Sequence, residues 1–124
     1  MTHRTPRFLA LLASVVVASA AAAPAPAPVR AEVDALLKLL QSSGCQFGRN
    51  GSWYSAAEAQ SHLGRKLEYL EGKNLVKTTE DFIELGASTS SSSGKPYLVR
   101  CGASPATESK AWLKARLAEL RQPR

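Results

Sequence analysis

Apolar residues recur along this chain in two rhythms, and the change from one to the other lays out the fold. Val33, Leu36, Leu37 and Leu40 fall at i, i+3, i+4 and i+7, the stripe of an amphipathic helix over about 30–43. Glu32 and Asp34 suit the positive end of its dipole, and Gly44 stands where a left-handed residue stops a helix. Ala59, Leu63, Leu67 and Leu70 repeat the rhythm in a second helix, opened by Ser55 and Glu58 at capping-box spacing. A further cap signal, Thr78 to Asp81, precedes a short helix through Phe82, Ile83 and Leu85. The last helix is expected from near Pro105 and carries Trp112, Leu113, Leu117 and Leu120.

Between the first two helices the period drops to two. Asn50-Gly51 is the strongest short signal for a type I′ turn, because both central residues need positive φ. With Arg49 and Ser52 flanking the turn, Gly48 faces Trp53 and Phe47 faces Tyr54. Cys45, Phe47 and Tyr54 then share one side of the strands, and Trp53 takes the other. Tyr97, Val99 and Cys101 share a parity on a second strand candidate, 97–101. The nearly all-serine stretch 88–94 reads as a flexible polar loop. The pattern predicts an α+β domain, with four helices packed on a small antiparallel sheet of about three short strands.

The start of the chain changes the picture of where it works. His3, Arg4 and Arg7 precede an apolar run from Phe8 to Val17, and small residues follow, so 1–22 reads as a cleaved signal peptide. The run is shorter than the roughly 20 residues that span a bilayer, so no membrane anchor is expected once the signal is removed. Residues 23–29 alternate Ala and Pro and are expected to form an extended linker, leaving 30–122 as a single domain. Export places the domain in the periplasm, with secretion as the alternative.

In that oxidising compartment two cysteines read as one bridge, Cys45 to Cys101. The bridge requires the two strand faces named above to be the same side of one sheet, which their alternation independently allows. Closing so long a loop is worth about 4 kcal/mol in the chain-entropy model. That is a large share of the stability of so small a domain.

Sixteen Lys and Arg against ten Asp and Glu give a net charge of +6, which falls to +4 when Arg4 and Arg7 leave with the signal. The surplus is spread without a basic run, which argues against nucleic acid as a partner. No HxxxH, CxxC or clustered carboxylates are present, so neither a metal nor another cofactor is expected.

Candidate chemistry is sparse. His62 lies one helical turn from both Glu58 and Lys66, on one face. The residues that could converge into a site are Arg49, Asn50, Trp53, His62, Lys66, Ser93, Lys95 and Tyr97, where the hairpin tip and serine loop meet the second helix. An aromatic among cationic donors suits an anionic or carbohydrate-like ligand, or an envelope protein as partner. The first reading is therefore a small, non-catalytic binding module of the cell envelope. The alternative is an envelope hydrolase or transferase using His62 with Glu58 or a loop serine. No Gly-x-Ser-x-Gly elbow surrounds those serines.

The run Cys45…Arg49-Asn50-Gly51…Ser55-Ala56-Ala57-Glu58-Ala59…His62…Lys66 resembles the YfeK-like family of small secreted bacterial proteins. Lys77-Thr78…Glu80-Asp81-Phe82-Ile83, Ser93-Gly94-Lys95-Pro96-Tyr97-Leu98-Val99-Arg100-Cys101 and Trp112-Leu113 continue the likeness through nearly all of the domain. The resemblance implies a single exported domain of unknown function and names no reaction.

Overall fold

The computed structural model describes His3, residues 10–14 and residues 24–123; apart from those first six, the expected signal lies outside the described residues. Helix α1, Ala27–Ser42, opens inside the stretch expected as a linker. Pro28 is tolerated there because the first turn of a helix has no internal partner for a backbone N–H. The preceding segment is docked rather than free. Ala25 is buried, its N–H donates to Glu71 Oε2 at 2.8 Å, and Arg30 Nη1 reaches Glu71 Oε1 at 2.5 Å.

Strands β1, Gln46–Arg49, and β2, Ser52–Tyr54, form the expected hairpin. Asn50 and Gly51 turn the chain at φ 50 and 82, and Phe47 faces Tyr54 while Gly48 faces Trp53. Strand β3, Leu98–Arg100, runs antiparallel on the other side of β1, with Phe47 opposite Val99. Two residues further along that register stand Cys45 and Cys101, joined as a disulfide.

A fourth strand, β4, Thr107–Glu108, pairs with β3 and gives the order β2-β1-β3-β4, one strand more than the pattern predicts. Two exposed polar residues carry no alternation to reveal it. The chain needs them extended because Ser109 N–H must reach the carbonyl of Tyr97, 2.8 Å away. Helix α4 consequently starts at Ser109 and runs to Leu120, later than expected.

Helix α2, Ala56–Gly72, is capped by Ser55 Oγ, which accepts the Glu58 N–H at 3.2 Å. Helix α3, Thr79–Gly86, has the full reciprocal box of Thr78 and Asp81. Val33, Leu36 and Leu40 of α1 are buried with Leu67 of α2, Phe82 and Ile83 of α3, Leu113 of α4 and Val99 of β3. The end of α4 is tied down where Arg121 reaches Glu32 and Glu80, holding both carboxyls below their usual range.

The serine stretch is pinned rather than loose. Ser88 and Ser90 are buried, Ser88 Oγ donates to Ile83 O at 2.6 Å, and backbone bonds join Ser90 to Lys95 and Tyr97 to Ser88. No helix among the described residues is long and apolar enough to cross a membrane.

Candidate functional site

Helix α2 packs on α1 and α3 and leaves a wedge between its first half and the inner face of the hairpin. The cavity holds about 300 Å³. Its floor is apolar, formed by the buried side chains of Phe47, Ala59 and Leu63. The rings of Tyr54 and Tyr97 make its walls, and Glu58 and Arg65 stand at the exposed rim.

His62 projects from α2 into this wedge between two hydrogen-bonding neighbours. Its Nε2 lies 3.0 Å from the Tyr97 hydroxyl, and its Nδ1 lies 3.3 Å from Arg49 Nη1. Lys66, one turn on, donates to the same hydroxyl at 3.1 Å and to Thr89 O at 3.2 Å. Arg49 leans over the Tyr54 ring, 5.2 Å from its centre, and Lys66 over the Tyr97 ring at 5.0 Å.

Burial holds the His62 pKa below its ordinary value, and the charges of Arg49, Lys66 and Arg65 depress it further. The imidazole is therefore neutral at pH 7 and has one donor and one acceptor nitrogen. With Nε2 as acceptor, the chain runs Lys66 to Tyr97 to His62. With Nδ1 as acceptor, it receives the Arg49 N–H and gives its own proton to Tyr97.

The charge balance is one-sided. Among the described residues none of Arg49, Arg65 and Lys66 is in an ion pair. Glu58, the carboxylate at the rim, accepts a bond from Ser55 Oγ at 3.1 Å. No three His, Cys, Asp or Glu side chains gather to hold a metal among the described residues. What the wedge offers is N–H and O–H donors beside an apolar floor.

Of the eight residues expected from the sequence, Arg49, His62, Lys66 and Tyr97 meet here. Asn50 and Ser93 form a latch beside them. Ser93 Oγ donates to Asn50 Oδ1 at 2.5 Å, while Asn50 Nδ2 donates to Ser90 Oγ at 3.1 Å, tying the hairpin tip to the serine loop. Trp53 and Lys95 line a separate hollow on the outer face of the sheet, with Pro96 and Leu98. Gly48 makes room for the indole, since a Cβ there would stand 3.1 Å from the Trp53 ring. Arg100 covers that ring at 3.9 Å from its centre, so Trp53 does not serve the wedge.

Tyr54 and Arg65 belong to the site without having been singled out. Alternation already puts Tyr54 on the inner face, and Arg65 lies three residues after His62, a helical neighbour.

A family model described as a family of unknown function, DUF5329, matches residues 27–121. An uncharacterised protein of Salmonella typhimurium, YfeK, is 43% identical over 68 residues, which cover 54% of this chain and 55% of that protein. The match thus spans about half the length of that relative. No solved structure matches the chain.

Proposed function

The chain belongs to the DUF5329 family of unknown function, and from that premise we propose that it is an exported, periplasmic binding module that recognises an anionic ligand in the wedge. One observation carries the reading: Arg49 and Arg65 line a cavity of about 300 Å³, Lys66 stands behind it on the Tyr97 hydroxyl, and none of the three has an ion-pair partner among the described residues. Side chains of like charge crowd together at a cost unless a ligand compensates them. The Cys45–Cys101 bridge supports export, because such bonds persist in oxidising compartments.

The hydrolase or transferase alternative draws no support from the geometry. Glu58 is engaged by Ser55, and the hydroxyls of Ser90, Ser92 and Ser93 bond Asn50 and one another. The His62 ring bonds Arg49 and Tyr97 rather than a loop serine.

Calorimetric titration tests the binding reading, with small anions set against neutral compounds of the same shape. Binding of the anions that disappears in Arg49→Gln, at unchanged melting temperature, supports it. Equal binding of the neutral compounds would remove it. Fractionation of cells expressing the full chain tests export: recovery in the cytoplasm alone, with the first residues intact, would refute it.

A further inference from the structure

We infer that the wedge takes an amphiphilic monocarboxylate, with its carboxylate on Arg49 and its flat apolar body over Phe47, Leu63 and Tyr54. The inference rests on the anion-binding reading and adds the class of anion.

Three features of the cavity select it. The first is the split lining. Phe47, Ala59 and Leu63 offer no donor, while Arg49, His62 and the Tyr97 hydroxyl gather together. A bare anion set among these donors would leave the floor facing water. A volume of about 300 Å³ is far more than a small anion fills. A ligand with an apolar body releases that water and covers the floor.

The second feature is the form of the donor. Arg49 presents a planar guanidinium, held over the Tyr54 ring and by its hydroxyl at 3.4 Å, and a planar fork matches the two oxygens of a carboxylate. The third is Glu58. Its carboxylate lines the same cavity and repels a second negative charge, which disfavours dianions such as inorganic phosphate.

The probes are benzoate, acetate, benzamide and inorganic phosphate, titrated calorimetrically into the full chain near neutral pH. Benzoate is expected to bind on the order of tenfold more tightly than acetate, through burial of its ring. It should exceed benzamide and phosphate by a similar factor. Arg49→Gln should abolish the preference of benzoate over benzamide, and Ala59→Phe, which fills the floor, should abolish that over acetate. Should Ala59→Phe fail to fold, the acetate comparison in the unaltered chain decides the same point.

Acetate or phosphate binding as tightly as benzoate would overturn this inference and leave anion recognition standing. Benzamide binding as tightly as benzoate, or no binding by any of the three anions, would overturn both.

Discussion

The hydroxyl of Tyr97 lies 3.0 Å from His62 Nε2 in a wedge whose other polar neighbours of the imidazole are cationic. A phenol and a neutral imidazole can share a proton between them without adding charge to a place that already holds too much of one sign. The pair therefore accommodates the surrounding arginines and lysine without a carboxylate of its own between them.

A pH dependence follows from this. Folded His62 titrates below its ordinary 6.5, chiefly through burial and then through Arg49, so below pH 6.5 the unfolded chain binds the extra proton first. The contribution is complete above 6.5 and is lost as the pH falls through the folded value. Arg49→Gln removes the second cause and should move the folded pKa up while leaving it below 6.5. NMR titration of the His62 ring in both proteins checks this; an unmoved pKa in the variant would show that the guanidinium does not face the ring.

Reduction of the disulfide is the second expected loss. Cys45 and Cys101 are separated by 56 positions in sequence and close the β1–β3 register. Replacing both with Ala should cost about 4 kcal/mol by the chain-entropy argument. Urea denaturation of the double variant measures it, and a midpoint unchanged from the native protein would mean that the ladder alone sets the register.

The bridge was legible because it joined two independent signals, a parity of side chains on each strand and a signal-like start that led export to an oxidising compartment to be expected. The hairpin was legible because Asn50-Gly51 leaves one register open to the residues around it. Other features had no local signature. Thr107 and Glu108 are extended for the sake of a bond to Tyr97 that only the folded chain brings within reach. The pinning of the serine loop depends on the end of α3 at Ile83 and on Asn50 and Lys66, the last two distant in sequence. Within the site, spacing brought His62 and Lys66 to one helix face, but it could not say that Arg49 and Tyr54 would stack across from them. Alternation had already set Trp53 on the opposite side of the sheet, where Gly48 admits its ring, and grouping it with the site ignored that parity.

The hairpin gives the third prediction. Gly51 sits at φ 82, a conformation that costs an L-residue roughly 1–2 kcal/mol and a β-branched one more. Gly51→Val should lower stability by at least that amount, and it should also slacken the Asn50 latch to Ser90 and Ser93. Thermal melting reads the first effect, and amide exchange at Ser90 and Lys95 reads the second. Unaltered melting would mean that the turn relaxes to another type without cost.

The last prediction concerns Glu71, which is 8% exposed and accepts both the Ala25 N–H and the Arg30 guanidinium. Glu71→Ala leaves a buried N–H without its acceptor, a loss of about 1–3 kcal/mol. The Arg30 contribution is smaller, because that side chain is 44% exposed and keeps Asp34 at 3.2 Å. Glu71→Gln retains a carbonyl oxygen for Ala25 and should lose less than Glu71→Ala. Amide exchange at Ala25 separates local undocking from general destabilisation: it should rise steeply in Glu71→Ala, only modestly in Glu71→Gln, and hardly at all in the core of α2. Equal protection of Ala25 in all three proteins would mean that apolar contact, not this carboxylate, holds the start of the domain in place.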